Sequence, residues 1–255
     1  MVKRTNYPSG APCWVDVSVP DRESAQRFYG GVFGWKFVDQ GADAGHYTMC
    51  ELDGVPVAGM MQPPQDGAEM PPQWSVYLST GDVDRAVRTV TGNGGRLMVD
   101  PMDVMDAGRM AFGIDPAGAV FGMWQPGRHI GSQRWGDPGS VGWSELITRD
   151  GGTADAFYQS IFDYDRQEQL SGGDVDYSIW SAGGEQVCGR WATADQTPQW
   201  STYFSVRDTD RSIETVSEQG GRVEREPWDT PYGRMATVTD PWGAQFYLAG
   251  PTNGH

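Results

Sequence analysis

The sequence predicts an α+β chain of tandem βαβββ modules, four in all, paired into two halves. Three observations predict it. Pro72-Gln73-Trp74-Ser75 recurs as Pro198-Gln199-Trp200-Ser201, and a long-period internal repeat sets the architecture before any local reading. Each copy is followed by the same succession: an Asp-rich helix start, a Gly-Gly-Arg ending at Arg96 or Arg222, a Gly-Arg-Met-Ala opening at Gly108 or Gly233, and an Asp-Pro-x-Gly-Ala opening at Asp115 or Asp240. The apolar residues also switch between strand and helix periodicity in the same order each time.

In the first half, Cys13 to Val19 reads as a strand. Pro20-Asp21 ends it, and Asp21 is suited to cap the next helix. Ser24 to Phe33 places Ala25, Phe28, Tyr29 and Val32 on one helical face, and Gly34 stops the helix. Trp35 to Val38, His46 to Cys50 and Val57 to Met61 follow as strands between Gly- and Asp-containing turns. A Pro- and Gly-rich connection runs from Pro63 to Pro72. The order then returns: a strand from Trp74 to Leu78, a helix from Asp82 to Val90, and strands at Arg96 to Val99, Gly108 to Ile114 and Ala119 to Trp124.

The second half repeats the first. Trp143 to Ile147 is a strand, and Ala154 to Phe162 is a helix whose Phe157-Tyr158 matches Phe28-Tyr29. Strands at Tyr177 to Trp180 and Gln186 to Trp191 complete that module. The last module has a strand from Trp200 to Val206, a helix from Asp208 to Gln219, and strands at Arg222 to Glu226, Arg234 to Thr239 and Ala244 to Leu248. Asn253 to His255 is a loose tail. The domain boundaries expected from this are a first domain at 1–127, a linker at 128–139 and a second domain at 140–255, each long enough for a core of its own.

The chain has 19 basic against 34 acidic residues, a net charge of −15. Such a field repels a phosphate backbone, so a nucleic-acid partner is not expected. It favours a neutral or cationic ligand, although solubility alone explains such a charge. No apolar run is long enough for a membrane span, and no apolar stretch follows Met1 to Asn6, which argues against a signal peptide. Three cysteines without CxxC spacing fit a cytoplasmic protein with reduced thiols. The Gly-Gly pairs precede strands rather than helices, so they are not phosphate loops. A monomer and a homodimer are both compatible with these features.

Taken together, the four modules, the Phe-Tyr pairs, Phe33-Gly34-Trp35 and the Asp-Pro-x-Gly motifs resemble the vicinal oxygen chelate superfamily, which includes glyoxalase I, extradiol dioxygenases, fosfomycin-resistance enzymes and bleomycin-binding proteins. The resemblance covers nearly the whole chain. Trp14-Val15-Asp16, Asp106-Ala107-Gly108-Arg109-Met110, Gly122-Met123-Trp124-Gln125 and Arg128-His129-Ile130-Gly131 are similar to two-domain actinobacterial members of glyoxalase-like or hydroxylase type. Among these are a mycobacterial culture-filtrate antigen and proteins of anthracycline pathways. The resemblance implies two glyoxalase/bleomycin-resistance-like domains, each a curved, half-open sheet around a cavity. Enzymes of the superfamily hold a divalent ion there with His, Glu or Gln. Carried over, the ligand positions fall on Trp14 and Trp143, on Trp74 and Trp200, and on Gly122 and Tyr247. Indole offers only an N–H donor, and the three histidines are His46, His129 and His255. No metal and no other cofactor is therefore expected.

What remains is aromatic. Strand alternation places Asp16 on the face of Trp14, Glu145 on that of Trp143, Val76 with Trp74, Thr202 with Trp200, and Trp124 with Gly122. One reading makes Trp14, Trp74, Trp124, Trp143, Trp200 and Tyr247 the walls of cavities for a small hydrophobic or aromatic ligand; the other makes them core. Whether Trp14 shares a cavity with Trp74 or, through module exchange, with Trp200 stays open. Asp16 and Glu145 are candidate acid/base groups, since desolvation raises a carboxyl pKa; hydrogen bonding to backbone or pairing with Arg is the structural alternative. Arg109 and Arg234 are candidates to bind a ligand carboxylate or stabilise an enolate, with pairing to Asp106 or Asp229 as the alternative. Tyr77 and Tyr203 should point away from the tryptophans and pack under the helices. Cys13, adjacent to Trp14, should point away from the cavity.

The expected function is metal-independent binding of an aromatic or polycyclic metabolite or antibiotic, for sequestration (resistance) or to assist its biosynthesis. The alternative is a metal-free lyase, isomerase or cyclase using Asp16 or Glu145. A metal-dependent glyoxalase or dioxygenase is the third reading.

Overall fold

Two eight-stranded mixed sheets share a layer of four helices. The computed structural model describes residues 2–63, 72–169 and 175–252; residues 64–71 of the predicted connection and the predicted tail lie outside them. A short strand β1 (Val2–Lys3) is followed by β2 (Pro12–Ser18), α1 (Arg22–Phe33), β3 (Lys36–Asp39), β4 (Thr48–Leu52) and β5 (Val55–Met61). The second module comprises β6 (Gln73–Ser79), α2 (Val83–Gly92), β7 (Arg96–Val104), β8 (Gly108–Ile114) and β9 (Val120–Pro126). After β10 (Arg134–Trp135) come β11 (Val141–Thr148), α3 (Gly151–Ile161), β12 (Arg166–Gln169), β13 (Asp176–Ala182) and β14 (Glu185–Ala192). The chain closes with β15 (Gln199–Ser205), α4 (Thr209–Glu218), β16 (Arg222–Thr230), β17 (Gly233–Thr239) and β18 (Gln245–Gly250).

The strand orders are β3-β4-β5-β2-β6-β9-β8-β7 and β12-β13-β14-β11-β15-β18-β17-β16. Each sheet is thus made of two consecutive modules joined by an antiparallel central pair, β2–β6 or β11–β15. This settles the module pairing: Trp14 shares its sheet with the strand of Trp74, not that of Trp200. The segment between the two sheets carries β10, which pairs with β1. Strand β12 was not evident from the sequence, because Arg166-Gln167-Glu168-Gln169 has no apolar alternation. Helix α3 starts earlier than expected, at Gly151-Gly152, because the Asp150 carboxylate accepts the Thr153 N–H and overrides two poor helix formers. Asp21, Asp82 and Asp208 cap the other three helices in the same way, each worth about 1 kcal/mol.

The core differs from the expectation of one per domain. A single apolar cluster draws Val15, Val17, Phe28 and Tyr29 together with Leu146, Phe204 and Phe246. Helix α1 lies against both sheets, with Tyr29 5.4 Å from Trp74 and Phe33 4.7 Å from Phe204. Helix α3 does likewise, with Tyr158 5.6 Å from Trp200 and 5.2 Å from Phe121. No helix among the described residues is long and apolar enough to cross a membrane.

Candidate functional site

The helix layer covers one face of each sheet and leaves the other as a cup. Parity decides which residues face it. In β2, Val15 and Val17 join the helix-side core, so Trp14 and Asp16 face the cup. In β6, Trp74, Val76 and Leu78 join the core, so Ser75 and Tyr77 face the cup.

Trp14 and Asp16 thus face the cup, but Trp74 and Trp200 do not. Both are core residues on the helix side. Trp74 sits edge-on to Phe204 of the other half at 4.9 Å, and the Trp200 indole donates to the Tyr158 hydroxyl at 2.9 Å. Tyr77 and Tyr203 do oppose the QWS tryptophans, but they face the cups rather than the helices. Cys13 is also corrected. An irregularity between Pro12 and Trp14 breaks the alternation, so Cys13 joins Trp14, Tyr77 and Trp124 in one cluster. Its thiol donates to the Tyr77 carbonyl at 3.4 Å, and burial pushes its pKa up, which makes it inert.

The centre of each cup is a relay of the same composition. In the first, the Trp14 indole donates to the Tyr47 hydroxyl at 2.8 Å, and Tyr47 donates to Asp16 Oδ2 at 3.1 Å. Tyr77 donates to the same oxygen at 2.8 Å. In the second, Trp143 donates to Tyr177 at 3.0 Å, Tyr177 to Glu145 Oε2 at 3.0 Å, and Tyr203 to Glu145 Oε1 at 2.6 Å. Gly59 and Gly189, on the neighbouring strand, leave room for this. A Cβ at either would collide with the hydroxyl of Tyr47 or Tyr177.

The relays differ by one methylene group. Glu145, a methylene longer, offers one oxygen to each tyrosine. Asp16 offers Oδ2 to both, and its buried Oδ1 accepts no hydrogen bond of normal geometry. Asp16 is 2% exposed. Burial raises its pKa to about 6, against the opposing effects of Tyr77, Tyr47 and Ser75. Burial likewise raises Glu145, against Tyr203 and Tyr177. Desolvation and the adjacent carboxyl hold the Tyr47, Tyr77 and Tyr203 phenols well above their ordinary value. Asp16 can therefore exchange a proton near pH 6, while the tyrosines stay neutral donors.

The remaining positions divide the cups. Trp124 lines the first, 6.5 Å from Tyr77, and its indole donates to the His129 carbonyl at 2.8 Å. The His129 ring stands edge-on to Trp14 at 4.4 Å; burial lowers its pKa to about 4, and its Nε2 lacks a partner. In the second cup Tyr247 stacks on Tyr203 at 4.3 Å, and burial and Glu145 raise its pKa to about 12.

Arg109 and Arg234 belong to neither relay. Arg109 forms a two-pronged pair with Asp84 on α2 at 3.1 Å and a contact with Asp103 at 2.8 Å. Arg234 pairs with Asp210 on α4 at 2.7 Å and with Asp229 at 3.2 Å. Asp106, the expected partner of Arg109, instead pairs with Arg128 at 2.8 Å. The tyrosines at 47, 77, 177 and 203 and the glycines at 59 and 189 were not selected from the sequence. Their recurrence at matching places in both halves was the available signal.

The donor set does not fit a divalent ion. Each relay holds one carboxyl, two neutral phenols and an indole N–H, which cannot coordinate. Among the described residues no three His, Cys, Asp or Glu side chains come together. His46 lies in an exposed turn, 2.9 Å from Asp39.

Curved mixed sheets of paired βαβββ modules, each with one face that the helices leave uncovered, define a vicinal oxygen chelate fold. The chain belongs to the Glyoxalase/Bleomycin resistance protein/Dioxygenase superfamily, whose family model matches residues 13–123 and 140–248. It is 38% identical over 258 residues to the anthracycline biosynthesis protein DauV of Streptomyces sp. strain C5, covering 95% of this chain and 94% of DauV. It is 36% identical over 257 residues to CFP32 of Mycobacterium tuberculosis, covering 98% of each. A Mn(II)-bound glyoxalase from Novosphingobium aromaticivorans shares the fold with a TM-score of 0.66 at 14% identity, over 97% of this chain and 86% of that one.

Proposed function

We propose that this chain is a cytoplasmic protein that binds a flat aromatic or polycyclic metabolite without a metal ion, to assist its biosynthesis or to sequester it. The observation that carries the reading is the repeated relay. Each relay sets a tryptophan and two tyrosines around one buried carboxyl, a set poorer in anionic and imidazole groups than a divalent ion requires. Similarity to DauV over nearly the whole chain supports a natural-product ligand. Aromatic walls add about 0.5–1.5 kcal/mol per ring pair beyond area burial, enough to help reach roughly micromolar affinity.

The test is a tryptophan-fluorescence titration of chelator-dialysed protein with a panel of tetracyclic aromatic ketones. Saturable quenching without added metal is expected. A stoichiometric ion that survives dialysis and is needed for quenching would refute metal independence.

A second reading is favoured by the buried Asp16 carboxyl, whose Oδ1 no donor reaches with normal hydrogen-bond geometry, and by its pKa of about 6. It makes the chain a metal-free lyase, isomerase or cyclase that uses Asp16, or Glu145, as acid/base. Asp16→Asn and Glu145→Gln separate the two readings: product formation that disappears while ligand quenching persists supports catalysis.

A further inference from the structure

The two cups are built from matching backbones but filled differently, and the register shows where they part. Across the second sheet, Trp143 pairs with Tyr203, Tyr203 with Tyr247, Tyr247 with Thr237, and Thr237 with Arg225. Directly paired residues share a face, so these five form one row across the cup. At about 4.8 Å per strand the row spans roughly 19 Å. The matching row of the first sheet is Trp14, Tyr77, Gly122, Phe112 and Val99. The second row therefore carries a phenol, a hydroxyl and a guanidinium where the first has no side chain, a phenyl ring and an isopropyl group.

The first cup is also closed by the chain itself. The ring of His129 stands edge-on to both Trp14 and Trp124, at 4.4 and 5.7 Å. Its backbone is tied down by the Trp124 indole and by its own N–H to the Ala107 carbonyl at 3.0 Å. In the second sheet the position of Trp124 is Ala249, which pairs with Ser205 as Trp124 pairs with Ser79. Trp14 is buried, whereas its counterpart Trp143 is partly exposed.

The far end of the second row has its own character. The Arg225 guanidinium lies 3.7 Å from the ring centre of Trp228, which pairs with Met235 on the same face. Its positive charge reaches Tyr247 and opposes the rise of that phenol's pKa. Unlike Arg109 and Arg234, Arg225 has no carboxylate partner among the described residues. A guanidinium stacked on an indole is held in place while its N–H edge stays free for an oxyanion. An unpaired cation at the end of an aromatic row, in a chain of net charge −15, points to an anionic group on the ligand.

We propose that the second cup is the ligand site and that it takes a flat aromatic acid, with its rings along the Trp143–Tyr203–Tyr247 row and its acidic group at Arg225. This rests on the small-molecule reading above. It adds which half binds, and that the ligand carries a carboxylate or comparably acidic hydroxyl at one end.

The experiment uses two probes of one shape, anthraquinone-2-carboxylate and anthraquinone-2-carboxamide, titrated near neutral pH into protein containing 5-fluorotryptophan. One probe should bind per chain, and the acid about tenfold more tightly than the amide. The fluorine signals of Trp143 and Trp228 should move on binding while those of Trp14 and Trp124 stay. Arg225→Gln should bring the probes level, and Arg225→Lys should keep most of the preference. Equal binding of acid and amide to the natural chain, or a preference that survives Arg225→Gln, overturns the anionic end. Movement confined to Trp14 and Trp124 overturns the choice of cup. Failure of both probes to bind overturns the small-molecule reading itself, and this inference with it.

Discussion

Tyr29 donates a hydrogen bond to Asp240 across the two halves at 2.9 Å, and Tyr158 returns it to Asp115 at 3.2 Å. The Phe-Tyr pair of each first helix and the Asp-Pro-x-Gly turn of the opposite half are two sides of one clasp. In each turn the aspartate Oδ1 accepts backbone N–H groups and leaves Oδ2 for the phenol. The motifs that reveal the family thus hold the halves together. Tyr29→Phe leaves Asp240 buried with one donor fewer. A loss of about 1–3 kcal/mol is expected, in a single urea transition seen equally by fluorescence and circular dichroism.

Asp16 should make stability fall as pH rises. Its folded pKa of about 6 lies above its ordinary value of 3.8, so the folded state holds the proton more tightly. That stabilisation is complete below about pH 4 and lost as pH rises through about 6, with a total of about 3 kcal/mol. Urea unfolding of the natural chain and of Asp16→Asn between about pH 4 and 7 isolates it. The difference between the two should change across this window and level off above it; a constant difference would show that the carboxyl is not desolvated.

Gly59→Ala drives a methyl group into the Tyr47 hydroxyl that donates to Asp16. A loss of about 1–3 kcal/mol is expected. Removing the whole ring as well, in Gly59→Ala/Tyr47→Ala, relieves the collision, so the double variant should be more stable than the sum of the single effects. Strict additivity in thermal or urea melts would mean that the relay does not need this glycine.

The two tryptophan classes should separate by stability. Trp74→Ala removes a ring packed between the halves, and about 3–5 kcal/mol should be lost. Trp143 is partly exposed, so Trp143→Ala should cost clearly less in the same urea measurement while weakening ligand binding.

The sequence by itself determined the modules, the two-sheet plan and the sharing of a face by Trp14 with Asp16 and by Trp143 with Glu145. Strand period and repeat are local properties, and they are read directly. Only the tertiary structure decided which face was the cup. Parity states that Trp74 and Val76 point together, not where; the helix layer, shared between halves, takes that face. Pairing across strands then brought Tyr77 and Tyr47 to Asp16, residues far apart in the chain that no spacing links. The break in alternation at Cys13 inverted one expectation. Arg109 and Arg234 went to the aspartates of α2 and α4, because a neighbouring helix, not the strand, supplied the nearest carboxylates.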